Sequence, residues 1–126
     1  LIHRKYVPKS YTMIERPNLS YIKEIAGGNK EFEKKFLSIV QVEFPRERAS
    51  YNDLILNEEY EEASKVVHKI KHKLGILSLN EGYQVAIAYE TELKSGNLEL
   101  RSIFEEILGV AEDFIQKLHI HEGDHR

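Results

Sequence analysis

Residues 63–80 read ASKVVHKIKHKLGILSLN. Apolar residues recur there at three- and four-residue intervals, the spacing of an amphipathic helix. On a helix turning about 100° per residue, with His68 at zero, Val66, Ile70, Leu74 and Leu77 gather roughly 160–240° away. Ser64, Lys71, His72, Gly75 and Leu79 fall within about 60° of His68. The pattern predicts a helix with a core stripe of Ala63, Val66, Val67, Ile70, Leu74 and Leu77, and with the His68 imidazole turned to solvent at mid-helix.

The flanks extend this pattern into helix after helix. Asn57 suits an N-cap, and Glu58, Glu59, Glu61 and Glu62 place negative charge at the positive end of the helix dipole. Upstream, Asn18 caps a short helix with a Leu19, Ile22, Ile25, Ala26 stripe, closed by Gly27-Gly28. Asn29 caps the next, which carries Phe32, Phe36, Leu37, Ile39 and Val40. Pro45 is expected to bend or break it near Phe44, with Leu54 and Ile55 continuing the rod beyond. Downstream, Asn80 caps a helix with Tyr83, Ala86, Ile87 and Leu93. Lys94-Ser95-Gly96-Asn97 makes a turn. The last helix carries Leu100, Ile103, Phe104, Ile107, Ala111, Phe114, Ile115 and Leu118. Period-2 alternation between hairpin turns is almost absent. The expectation is an all-α fold, an up-and-down antiparallel four-helix bundle with a short additional N-terminal helix. Residues 1–17 read as a tail or linker, 18–119 as the bundle and 120–126 as a polar tail.

The 126 residues suit one domain, with 41% hydrophobic and 31% charged residues. A net charge of −3 gives no general attraction to nucleic acid or membrane. No cysteine is present, which excludes disulfides and thiolate chemistry. No apolar run approaches the roughly 20 residues of a membrane span, and no signal peptide is seen. A cytoplasmic location fits. The start at Leu1 rather than Met fits a fragment excised from a larger protein.

Chemistry concentrates around His68. Lys71, three residues on, can bring its ammonium over the same face. A phosphoryl group on the ring carries a charge of about −1.5 to −2, which an ammonium compensates. Gly75 lies inside the helix, where glycine costs roughly 1 kcal/mol relative to alanine. Two readings fit it equally: an open patch for a partner's approach, or close packing of helices or the start of a C-cap. Lys65, Lys69 and Lys73 complete a local basic segment.

Together these residues resemble the histidine-containing phosphotransfer (HPt) family of two-component phosphorelays. Its pattern is a histidine, a lysine three positions later, and small residues at four, seven and ten. His68 matches the phosphoacceptor, Lys71 the neighbouring lysine, and Gly75 and Ser78 the small positions at seven and ten. The position at four departs: it is His72, whose ring narrows access on one side or hydrogen-bonds near the phosphoryl group. The resemblance covers roughly residues 18–118, from NLSYIKEIAGGNKEFEKKFLSIVQVEFP to KSGNLELRSIFEEI and on along the last helix.

The resemblance implies a carrier rather than a complete enzyme. His68 takes a phosphoryl group from the aspartyl phosphate of a receiver domain and passes it to another receiver. Its partners are response regulator receiver domains and a hybrid histidine kinase. It needs no cofactor of its own, with Mg²⁺ on the receiver, and is a monomer. An imidazole with an unperturbed pKa near 6.5 is largely nucleophilic near neutrality. No Gly-rich phosphate loop is present, so kinase activity from ATP is not expected. Docking is expected around Ser64, Lys65, His72, Gly75, Ile76, Ser78 and Leu79, although Leu79 could instead pack under the fourth helix.

Three other readings compete. His68 and His72 form an i, i+4 pair, a common zinc-ligand spacing. The intervening K-I-K places no catalytic glutamate, and four lysines oppose a divalent ion, so no metal site is expected. A loose C-terminal cluster of His119, His121 and His125 reads as an adventitious chelator. An adaptor or nucleic-acid module using the Lys65–Lys73 face is disfavoured by the net charge and by the lack of aromatics among those lysines. The dimerising histidine domain of a sensor kinase usually has an acidic residue after its histidine, and here Lys69 follows.

Overall fold

The computed structural model describes residues 15–123, with the side chains of 15–118. Among them the chain is all-helical, without strands. Its elements are α1 (Ser20–Ala26), α2 (Lys30–Leu56), α3 (Tyr60–Ile76), α4 (Asn80–Leu93) and α5 (Arg101–Gly123). Helix α3 packs on α2 and α4, α5 packs on the same two helices, and α1 lies against α2.

The glycine and asparagine signals at the first turn work as expected. Gly27 closes α1 in the left-handed conformation, at φ +55°. The Asn29 side chain accepts the Phe32 N–H at 3.0 Å. Asn18 accepts the Ser20 N–H at 2.9 Å but stands one residue before the cap position of α1, which Leu19 holds.

Two further caps differ. Asn57 ends α2 instead of starting α3, because the chain turns at Glu58 with φ +58°. The Glu59 N–H then reaches back to the Leu54 carbonyl, and α3 starts from Glu59. The α3–α4 connection repeats this device. Ser78 has φ +66°, the Leu79 N–H bonds the Leu74 carbonyl, and Leu79 precedes α4. Asn80 is therefore the first helical residue, not the cap. In both turns the chain first satisfies the orphan carbonyls of the ending helix, which pushes the next start onward.

Pro45 does not break α2, which runs through it. Its missing N–H and ring cost a helix interior about 3 kcal/mol. Burial of Val40 and Phe44 before it, and of Tyr51 and Ile55 after it, fixes both halves against the core. The Lys73 ammonium on α3 also bridges Glu43 at 2.7 Å and Glu47 at 2.9 Å, one turn apart across the proline.

The core is built from the predicted stripes. Ala63, Val67, Ile70, Leu74 and Leu77 are buried, with Val66 partly so. Leu100, Ile103, Phe104, Ile107, Ala111 and Ile115 supply the α5 side. The early part of α2 departs from expectation: Phe32 and Ile39 stay exposed, as do Ile25 of α1 and Ile87 of α4. Helix α5 continues through residue 123, into the expected C-terminal tail. The rest of that tail and residues 1–14 of the expected linker lie outside the described residues. Glu15 and Asn18 tie the segment before α1 to the α3–α4 region, bonding the Gly82 N–H at 2.8 Å and the Leu77 carbonyl at 3.0 Å. No helix among the described residues is long and apolar enough to cross a membrane.

A polar relay crosses the core. Tyr51 of α2 donates to Glu105 of α5 at 3.1 Å, so the 2.7 Å contact between the two phenols has Tyr89 of α4 as donor. Burial pushes the Tyr51 phenol well above its ordinary range and Tyr89 up to about 12, so both stay neutral. Tyr51→Phe leaves the buried Tyr89 hydroxyl without its acceptor and removes the bond to Glu105. Tyr89→Phe removes one donor only. Urea denaturation should show a loss of about 1 kcal/mol for Tyr89→Phe and about 2–3 kcal/mol for Tyr51→Phe. The reverse order would contradict this donor assignment.

Candidate functional site

The burial of Val67, Ile70 and Leu74 sets the rotation of α3 and sends His68 outward, with half of its side chain exposed. Lys71, one turn on, is largely covered. Both side chains meet Glu90, which α4 brings across from the facing helix. The His68 Nδ1 lies 2.9 Å from one Glu90 oxygen, and the Lys71 ammonium donates to the other at 3.1 Å. Lys71 also stands 3.3 Å from His68 Nδ1 and 5.9 Å from the centre of the Tyr83 ring.

Electrostatics assign the protons. Burial pushes the Glu90 carboxyl up, but hydrogen bonds and charge from Lys71 and His68 outweigh it and hold it below the ordinary carboxylate range. An ionised carboxylate only accepts, so His68 Nδ1 carries the hydrogen and donates it. Lys71 and Nδ1 are then two donors converging on one carboxylate. In the neutral ring the lone pair is then on Nε2. His72 reaches that side of the ring, with its Nε2 3.4 Å from His68 Nε2 and the rings edge-on at 4.9 Å.

The neighbouring surface has two parts. On one side a shallow depression is lined by Glu61, Ser64, Lys65, His68, Lys69, Glu90 and Lys94. On the other, a groove runs past His72, Gly75 and Ile76, walled by Tyr21, Phe36 and Tyr83. A Cβ on Gly75 would meet the Tyr83 ring at 3.3 Å. Close packing therefore explains the glycine, and the same packing leaves the groove open beside His72.

The structure brings His68, Lys71, His72, Lys65, Gly75 and Ile76 onto one surface. Leu79 and Ser64, two of the expected docking residues, are buried. Leu79 is fully buried, because α3 ends at Ile76 and the turn swings Leu79 into the core. Ser78 sits in that turn, where its hydroxyl accepts the Tyr21 N–H at 3.3 Å. Ser64 is buried, and its hydroxyl donates to the Glu61 carbonyl at 2.7 Å. Lys73 leaves the basic face for Glu43 and Glu47 on α2.

Sequence reasoning missed Glu90, Tyr83 as the groove wall, and Lys94. Glu90 is 22 residues from His68, and only the pairing of α3 with α4 brings the two together. Among the described residues no group of three or more potential ligand side chains converges on a point. The C-terminal histidine cluster lies outside the described side chains.

Compared with family models, with curated proteins and with solved structures, the chain finds no match.

The depressed pKa of Glu90 fixes the sign of a pH effect. Its stabilisation is complete above the unfolded carboxyl value and is lost as pH falls through the lower folded value. Glu90→Gln should be less stable than the parent by about 1 kcal/mol at neutral pH. The gap should close in denaturant melts as pH falls below the ordinary carboxylate range. A gap that persists unchanged into acid would show that the carboxylate charge is not what matters.

Proposed function

We propose that the chain is a phosphoryl carrier of the histidine-phosphotransfer type, with α2–α5 as an antiparallel four-helix bundle and α1 as an added N-terminal helix. The observation that carries this reading is the Glu90 contact to His68 Nδ1, which leaves the lone pair of the neutral, half-exposed ring on Nε2. A nucleophile held in one tautomer and one orientation is what phosphoryl transfer asks of a carrier.

In the proposed step, the Nε2 lone pair of His68 attacks the phosphorus of a receiver's aspartyl phosphate. The N–P bond forms, the P–O bond to the aspartate breaks, and the aspartate leaves as a carboxylate. The imidazole becomes cationic, and Glu90 at Nδ1–H offsets that charge. Attack by a second receiver's aspartate reverses the sequence. The receiver contributes Mg²⁺, and a hybrid histidine kinase stands upstream.

Lys71 lies at the Nδ1 edge and not over Nε2, so its ammonium must turn partly away from Glu90 to meet a phosphoryl oxygen. Lys69 and Lys94 give the docking face positive charge for an acidic receiver site. The groove at Gly75, Ile76 and Tyr83 adds apolar contact. A monomeric, cytoplasmic carrier belongs to the same proposal.

Incubation with a phosphorylated receiver tests the acceptor. The parent chain should take up acid-labile, base-stable phosphate. His68→Ala should take up none while keeping its helical circular dichroism. Undiminished labelling of His68→Ala would remove His68 from the role. Lys71→Ala should slow transfer or shorten the phosphohistidine lifetime by on the order of tenfold, about 1.4 kcal/mol. Unchanged values would reduce Lys71 to a partner of Glu90.

A further inference from the structure

His72 raises a question that the carrier reading leaves open. Its Nε2 approaches the very atom of His68 that the reaction needs, at 3.4 Å. With Nδ1 of His68 committed to Glu90, the lone pair of the neutral ring is on that Nε2. Two imidazole nitrogens this close share something between them: a proton donated by His72, or a cation that both can ligate.

We propose that His68 and His72 form a two-imidazole site for a divalent transition-metal ion of the Zn²⁺ type, and that an ion held there blocks phosphoryl acceptance at His68. The geometry supports the ion. Tetrahedral zinc with Zn–N bonds of about 2.0–2.1 Å sets two nitrogen ligands about 3.3–3.4 Å apart. The rigid turn of α3 supplies that separation between exposed residues.

Glu90 on the far nitrogen of His68 is the outer-shell carboxylate that typically orients a metal-bound imidazole and raises its basicity. Water completes the shell on the solvent side. With only two protein ligands, the site is weaker than a closed structural one.

The four lysines between residues 65 and 73 speak against an ion when only their charges are counted. Their partners change this. Lys65 is paired with Glu62, Lys71 with Glu90, and Lys73 with Glu43 and Glu47. Most of the apparent positive charge is therefore locally neutralised.

Ion and phosphoryl group need the same lone pair, so one excludes the other. This blocking effect rests on the phosphoacceptor reading; ion binding itself does not.

The test uses the full chain with ¹⁵N-labelled histidines. Zn²⁺ is titrated while the imidazole nitrogens are followed by NMR, in the parent and in a variant carrying His119→Gln, His121→Gln and His125→Gln. Saturable shifts at Nε2 of both His68 and His72 are expected in each protein. His72→Gln and His68→Gln should each weaken binding tenfold or more. Unmoved rings, binding indifferent to His72→Gln, or binding lost with the C-terminal substitutions would overturn the site.

A second arm labels the chain with phosphoramidate, which needs neither receiver nor Mg²⁺. Labelling of His68 should slow as Zn²⁺ fills the site, with the same midpoint as the NMR shifts. Labelling that proceeds undiminished at saturating Zn²⁺ would overturn the blocking effect. If His68 takes no label even without Zn²⁺, the carrier reading fails and the blocking effect with it, while the ring shifts decide the metal site independently.

Discussion

Burial of Ala63, Val67, Ile70 and Leu74 against α2 and α4 sets the rotation of α3 about its own axis. Val67, Ile70 and Leu74 each contribute roughly 1.5–3 kcal/mol when removed from water, far more than any exposed ion pair on the opposite side. The apolar stripe therefore decides, and the polar groups go where it sends them. His68 emerges because Val67 and Ile70 on either side of it must be inside. Rotating α3 by one residue would bring the imidazole toward the core and carry two aliphatic side chains toward water.

Once that rotation is fixed, carboxylates on the neighbouring helices sort the lysines. Lys71 and Lys73 are two residues apart and point to different helices, Lys71 to Glu90 on α4 and Lys73 to Glu43 and Glu47 on α2. Both are mostly covered, and a covered ammonium needs partners. Burial lowers the Lys73 pKa, but its two carboxylates outweigh this and raise it, so it stays charged. Lys73 thereby becomes a brace across Pro45, while Lys71 remains at the histidine. A run that reads as one basic strip is divided between carboxylates of two different helices.

Two aromatic residues of α4 show the same economy. Tyr89, buried, carries the phenol relay to α2 and α5. Tyr83, about two turns earlier, lies over Gly75 and beside the Lys71 ammonium. The absence of a side chain at Gly75 lets that ring come close. One contact thus serves the packing of α3 on α4 and the shape of the groove next to His72.

The periodicity of apolar residues was enough to give the helices, their order and most of the core, because a repeat of 3.6 residues is a local property. It also placed His68 outside, since rotation follows from the stripe. The caps at Asn57 and Asn80 were misread because a helix end and the next helix start compete for the same few residues, and the fold resolved that competition through Glu58 and Ser78. Phe32 and Ile39 have the right spacing for a core, but the neighbours that would cover them are set by the other helices. Only the tertiary structure brought Glu90 to His68, turned Lys73 away and drew Leu79 inside. Charge pairing and burial act through space between distant segments, and no local repeat along the chain encodes which segments meet.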